Sequence, residues 1–204
     1  MFVQVIQGKV SDRAAVRAAL DRWLSEVEPS SIGWLGSTGG VTEDGRFLLF
    51  ARFTSEEEAM RNSDRPEQSA WWAETSKLFE GNATFKNSIA VDEDLVGNPD
   101  DAGFVQFVLG RMRDPERGRA LMRRQDRQAW TELRPDLLGT VTAVHEGGEM
   151  TTAAYFTSEK DAHEGEAKEI PEELTRGMEE INSLTVGEPE FLDIREPWLD
   201  SPKR

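Results

Sequence analysis

Residues 2–8 read FVQVIQG and residues 104–110 read FVQFVLG, and this repeated apolar segment decides the fold. An ungapped comparison of residues 2–22 with residues 104–124 gives eight identities, where average composition predicts about one or two. The tetrapeptide FTSE also occurs twice, at residues 53–56 and 156–159. The chain is therefore an internal duplication of two units, each about a hundred residues long.

Both copies carry the same order of predicted elements, β-α-β-β-α-β. Asp12 and Asp114 are predicted N-caps of the first helix in each copy, and Pro115 suits the first helical position. Pro66 and Pro171 predict breaks in the second helical region. This order is typical of the ferredoxin-like plan, an α+β fold with a four-stranded antiparallel sheet.

The predicted boundaries are residues 1–92 for the first unit, 93–103 for a linker, and 104–204 for the second unit with a C-terminal tail. The strands do not alternate apolar and polar residues; residues 47–51 read FLLFA. Both faces of each sheet should therefore be buried. We expect the two sheets to pack face to face within one chain, as an intramolecular dimeric α/β barrel, either as a monomeric pseudo-dimer or as a homodimer of it.

Composition excludes several classes of function. The chain has 24 basic and 39 acidic residues, a formal charge of −15, which disfavours nucleic acid and anionic membranes as partners. Cysteine is absent and there are two histidines, so no metal site is expected. The five arginines within residues 117–127 are interpreted as the solvated face of a helix. The N-terminus lacks a secretory signal pattern, and a cytoplasmic protein is expected.

Four residues of the first copy are candidate ligand-binding residues. Gln4 lies in an apolar strand, where its amide is either a polar handle in a pocket or a structural group bonded to its neighbours. Trp71 and Trp72 form either an aromatic wall for a flat ligand or core packing. Arg52 interrupts an apolar strand and could pair with a ligand carboxylate or a local Glu, or lie in solvent at the strand end.

The remaining candidates are in the second copy. Tyr155 stands at the position of Arg52 and offers a phenol, although a strand tyrosine usually packs. His145 precedes a predicted turn and His163 lies on a charged helix, so both are predicted to be surface residues. Neither copy contains a serine hydrolase set, an HExxH sequence or a glycine-rich phosphate loop.

The short first strand, the FTSExxA segment after the third strand, and the segment PEQSAWW at residues 66–72 resemble the dimeric α/β-barrel superfamily. Within it, the chain is similar to tandem, double-domain members of the antibiotic biosynthesis monooxygenase (ABM) group. The resemblance implies a pocket between sheet and helices. In it, Gln4, Arg52, Trp71 and Trp72 would bind a small aromatic molecule.

Three functions are consistent with that resemblance. The first is cofactor-independent oxidation of an aromatic substrate, and the second is non-catalytic binding or interaction on the same scaffold. The third is haem binding or degradation with His163 as the axial ligand. It is disfavoured because the first copy has no histidine and Gln68 stands where relatives often carry one. No cofactor is expected, and a single pocket is expected in the first copy.

Overall fold

The repeat in sequence is a repeat in structure. In the computed structural model, which describes residues 1–202, Phe2–Lys9 forms strand β1 and Phe104–Arg111 forms strand β6. The eight positions of β1 and β6 show the same succession of buried, half-buried and exposed residues. The predicted duplication is therefore confirmed at the level of the first strand.

The predicted order β-α-β-β-α-β is present in both copies, with one additional strand in each sheet and, in the second copy, a second helix, Arg127–Leu133, directly after the first. The remaining elements are α1 (Arg13–Arg22), β2 (Trp34–Val41), β3 (Arg46–Phe53), α2 (Glu56–Ser63), α3 (Pro66–Thr75), β4 (Thr84–Asn87), β5 (Ala90–Leu95), α4 (Pro115–Arg123), α5 (Arg127–Leu133), β7 (Leu137–Val144), β8 (Glu149–Phe156), α6 (Glu159–Glu166), α7 (Glu172–Leu184), β9 (Glu190–Ile194) and β10 (Trp198–Asp200).

The predicted helix signals act as expected. The carboxylate of Asp12 accepts a hydrogen bond from the Ala15 amide, and that of Asp114 accepts one from the Arg117 amide, so each caps an otherwise unpaired N–H. Pro66 begins α3 after the break that ends α2, because proline fits the first helical turn and not the interior.

Each unit contains one open antiparallel sheet of five strands within the described residues. The strand orders are β10-β2-β3-β1-β4 and β5-β7-β8-β6-β9. In each sheet the four strands after the first in this order, β2-β3-β1-β4 and β7-β8-β6-β9, give the ferredoxin-like α+β plan, which confirms the predicted fold class. Neither sheet closes on itself, since each ends in two edge strands. The register of β2 and of β7 shifts at Gly36 and Gly139, whose φ values of +129° and +140° suit glycine.

The fifth strand of each sheet corrects the predicted boundaries. Residues 93–103 were expected to be a linker, yet β5 extends to Leu95 and pairs with β7 in the second sheet. The tail expected to belong to the second unit instead supplies β10, which pairs with β2 of the first sheet. The compact units are Met1–Ser88 with the segment from Trp198, and Ile89–Pro197. Residues 203–204 lie outside the described residues.

Both faces of the first sheet are buried, as the apolar strands predict. On the helix side, Phe47 and Leu49 pack with Leu20 of α1. On the opposite face, Val3 and Phe50 have no exposed surface. No helix within residues 1–202 has the length and apolar character needed to cross a membrane.

Candidate functional site

The sheet separates the four candidate residues of the first unit. Gln4 pairs with Ala51 in the β1–β3 register, whereas Arg52 pairs with Val3. Because neighbouring strand residues point to opposite faces, Gln4 lies on the helix side and Arg52 on the other side. Trp71 and Trp72 of α3 pack against the helix-side core. The structure does not bring Arg52 together with the other three.

Gln4 bonds to its neighbouring strand. Its Nε2 donates a hydrogen bond of 3.1 Å to Oδ1 of Asn87 on β4. The equivalent residue of the second copy, Gln106, makes a similar contact: its Nε2 donates a hydrogen bond of 3.0 Å to Oδ1 of Asp193 on β9. This geometry supports the structural interpretation, in which each amide ties the first strand of its unit to the last.

The two adjacent tryptophans stabilise α3 against the rest of the first unit. The indole N–H of Trp71 donates to the backbone carbonyl of Ala19 in α1 at 2.7 Å. The ring of Trp72 lies 5.9 Å from that of Trp71 and 5.1 Å from that of Phe85, centroid to centroid. Such contacts hold helix to sheet, which favours the core interpretation.

Arg52 is buried, so the expectation that it could lie in solvent is wrong. It is 8% exposed, and its Nε has no hydrogen-bond partner among the described residues. A Cβ added at Gly36 would lie 2.7 Å from Nη2 of Arg52, so the glycine makes room for the guanidinium. Tyr155 occupies the equivalent place in the second unit and is fully buried.

The two histidines have different environments. His145 is 3% exposed and its Nε2 lies 3.0 Å from Oγ1 of Thr151, so the prediction of a surface position is wrong. His145 follows β7 and lies on the same side as Val141 and Ala143, which are also buried. The turn that follows His145 in the sequence was the signal that predicted exposure. His163 lies on the exposed surface of α6, as predicted, which does not favour an apolar haem slot.

The pKa of His163 is raised above its ordinary value, chiefly by a hydrogen bond to Glu166 and further by Glu159. A raised folded-state pKa means that protonation stabilises the fold below the unfolded pKa, and that this stabilisation is lost as pH rises through the folded pKa. We therefore expect His163→Gln to lower stability at pH 5 and to leave it unchanged at pH 9. Urea unfolding at both pH values measures this; an equal loss at both would contradict it.

A cleft of about 420 Å³ lies in the second unit, between the edge of its sheet and the first two helices. Strands β5 and β7 form its floor, and α4 and α5 form its roof. The lining residues include Asp92, Asp94, Arg119, Met122, Arg123, Arg127, Trp130, Arg134, Leu137, Thr140 and Thr142. Its volume is within the range of small-molecule pockets in proteins. The single pocket was expected in the first copy, and this cleft is in the second.

One pair of residues explains why the cleft is open. Trp198 pairs with Gly39 in the first sheet, and Asp92 pairs with Thr142 at the equivalent register in the second. The Trp198 ring packs in the first core, 6.3 Å from that of Phe47. Asp92 is much smaller than tryptophan, so the corresponding space in the second unit is left unfilled.

The floor of the cleft is also more polar than its counterpart. Leu49 of the first unit corresponds to Thr152, whose hydroxyl lies 2.9 Å from that of Thr142. Thr142 itself corresponds to Gly39, so two hydroxyl groups stand where the first unit has one aliphatic side chain. An aromatic ring placed over these threonines would contact the apolar side chains of Trp130 and Met122, which also line the cleft.

Arginines of the helices pair with acids of the edge strand. Nη1 of Arg123 lies 2.8 Å from Oδ1 of Asp92, and Arg119 contacts both carboxylate oxygens of Asp92. Nε of Arg127 lies 3.0 Å from Oδ1 of Asp94. The pKa of Arg119 is raised, with the hydrogen bond to Asp92 as the main cause.

From the sequence these arginines were interpreted as a solvated helix face, and their pairing with carboxylates of β5 was not predicted. Arg119 and Arg123 are four residues apart and so share a helix face, a signal that was available. Their partner Asp92 was assigned to the end of the first unit, directly before the predicted linker, so its place beside α4 was not predicted. No group of three or more His, Cys, Asp or Glu side chains in the described part of the chain is arranged to hold a metal ion.

Comparison with known proteins finds the fold in solved structures. A protein from Lactobacillus acidophilus, described as a "putative monooxygenase", superposes with a TM-score of 0.71 at 8% identity, over 97% of this chain and 98% of that one. A protein of the same description from Fusobacterium nucleatum has a TM-score of 0.69 at 8% identity, over 98% and 94%. An anthrone oxidase-like protein has a TM-score of 0.59 at 11% identity, over 99% and 92%.

No family model and no curated protein matches the sequence. At these identities the structural matches establish the fold. The chain has the tandem, two-unit ferredoxin-like fold of these proteins, which is the fold that the sequence resemblance implies.

Proposed function

We propose that this protein binds a small aromatic molecule in the cleft between β5, β7, α4 and α5 of its second unit. The observation that carries the proposal is the cleft itself, about 420 Å³ in volume, in a position that Trp198 fills in the first unit. Apolar side chains with a few convergent polar groups are typical of small-molecule sites. Here Trp130, Met122 and Leu137 supply the apolar part.

The experiment uses N-phenyl-1-naphthylamine, a neutral aromatic probe that fluoresces in apolar sites. We expect saturable binding to the wild-type protein and at least about tenfold weaker binding to Asp92→Trp, because the indole fills the cleft as Trp198 fills its counterpart. Circular dichroism checks that the variant folds.

Thr131→Trp offers a second way to fill the cleft, because Thr131 lines it from the exposed side of α5. Gln128→Trp is its control, since Gln128 is exposed on the same helix and is not among the lining residues. Failure of the probe to saturate, or equal binding to wild type, Thr131→Trp and Asp92→Trp, would refute the proposal.

Oxidation of the bound molecule is the second candidate function. It is favoured by the full-length fold match to an anthrone oxidase-like protein. In a cofactor-independent reaction, anthrone and O₂ would give anthraquinone and water, with one oxygen atom in each product. Oxygen uptake with anthrone tests this step: uptake by the wild type that Thr131→Trp abolishes supports it, and no uptake above buffer leaves binding alone as the function.

A further inference from the structure

We infer that the natural ligand of the cleft in the second unit carries an anionic group, such as a carboxylate or phenolate, which binds Arg123 and Arg119. This inference rests on the proposed function and specifies its ligand class. It follows from three observations: the supply of guanidinium groups, the exposure of Arg123, and the contrast with the first unit.

The first observation is that the cleft is rich in guanidinium groups for so acidic a chain. The lining contains four arginines (Arg119, Arg123, Arg127 and Arg134) and three acidic residues (Asp92, Glu93 and Asp94). Arg134 is paired with Asp136, so the remaining charges of the lining balance, within a chain whose net charge is −15. An anion is therefore repelled less in this cleft than by the rest of the acidic chain.

The second observation is that one carboxylate serves two arginines. Asp92 receives contacts from both Arg119 and Arg123. A guanidinium has five N–H donors, and the contact of Arg123 with Asp92 at 2.8 Å uses a single nitrogen. The Arg123 side chain is 58% exposed, so an anion entering the cleft can reach it without first displacing Asp92.

The third observation is that in the first unit two carboxylates share one arginine, whereas in the second unit two arginines share one carboxylate. Arg17 corresponds to Arg119 in the repeat, and it is shared by two carboxylates, those of Asp21 and Asp200. Asp21 corresponds to Arg123, a reversal of charge at one position of the same helix. The first unit therefore satisfies its arginine with its own acids, and the second unit leaves guanidinium groups for an outside anion.

The test compares two probes that differ by one charged group. 8-Anilinonaphthalene-1-sulfonate is the anionic counterpart of N-phenyl-1-naphthylamine, with the same rings. We expect Arg123→Gln to raise the Kd of the sulfonate about tenfold, because a charge-assisted hydrogen bond is lost. The Kd of the neutral amine should not change. Asp92→Asn should tighten sulfonate binding, because it removes the competing carboxylate and preserves its shape.

Arg124→Gln is the matched control, since Arg124 is the next residue, is exposed, and is not among the cleft residues. Sulfonate binding that is equally sensitive to Arg124→Gln and Arg123→Gln would indicate a general surface effect and overturn the inference. So would a Kd that neither Arg123→Gln nor Asp92→Asn alters.

Those outcomes are separable from failure of the proposed function. If the neutral amine still binds and Thr131→Trp still blocks it, the cleft is a ligand site without anion preference. If neither probe binds the wild type saturably, the cleft is not a ligand site and both proposals fail.

Discussion

Replacing Trp198 by alanine should lower the free energy of unfolding by about 3–5 kcal/mol, the usual cost of truncating a buried tryptophan. Trp198 is buried in the helix-side core of the first unit, where its ring contacts that of Phe47. The guanidinium groups of Arg13 and Arg17 lie 5.8 and 5.7 Å from its ring centre, which adds cation–π attraction. Strand β10 has three residues, so this side chain is its main anchor.

Urea unfolding followed by far-UV circular dichroism measures this effect. Trp130→Ala is the control, because Trp130 is half-buried and lines the open cleft of the second unit. We expect it to cost about 1 kcal/mol or less, in the range of substitutions that leave no closed cavity. Equal losses for Trp198→Ala and Trp130→Ala would show that β10 does not depend on Trp198.

Asp136→Asn should destabilise the protein by about 3 kcal/mol at pH 7, because it leaves a largely buried guanidinium without its counter-charge. The side chains of Asp136 and Arg134 are 6% and 15% exposed, and Nη2 of Arg134 lies 2.7 Å from Oδ2 of Asp136. The same nitrogen donates to the carbonyl of Ala162 in α6. A Cβ at Gly165 of α6 would clash with Nε of Arg134, so the glycine leaves room for this guanidinium.

The pair of Arg127 with Asp94 provides the control for Asp136→Asn. Both of its side chains are more than half exposed, so Asp94→Asn should change stability by about 0.5 kcal/mol or less. Comparison of the urea midpoints of the two variants tests the difference. If Asp136→Asn is as mild as Asp94→Asn, the buried pair does not hold α6 in place.

The sequence was sufficient to predict the repeat, the fold class and several helix starts. These features depend on local signals: the apolar first strands, the caps Asp12 and Asp114, and the break before Pro66. Each acts within a few residues, so the sequence order alone reveals it. The burial of both sheet faces was also predictable, because the strands lack polar alternation.

The fifth strands were not predictable from local signals. The segment with Asp92, Glu93 and Asp94 has the composition of a linker, yet it pairs with β7 as a strand, and arginines of α4 and α5 form ion pairs with two of its carboxylates. Those arginines are 27 or more residues away in sequence. Composition could not indicate that this segment would join the second sheet.

The location of the cleft was missed for the same reason. Its existence depends on Asp92 standing where the first unit has Trp198, and that equivalence is visible only once both fifth strands are paired. Trp71 and Trp72 of α3 predict a pocket in the first unit. There the indole N–H of Trp71 bonds to α1 and both rings take part in packing. Gln4 and Arg52 lie on different strands, and the β1–β3 register is needed to show that they face opposite sides of the sheet.

A crystal structure of the protein with bound 8-anilinonaphthalene-1-sulfonate tests the central claim most directly. The account predicts the aromatic rings between Trp130 and the threonine floor of the second unit, and the sulfonate within hydrogen-bond distance of Arg123. A probe bound elsewhere, with the cleft empty at saturating concentration, would contradict it.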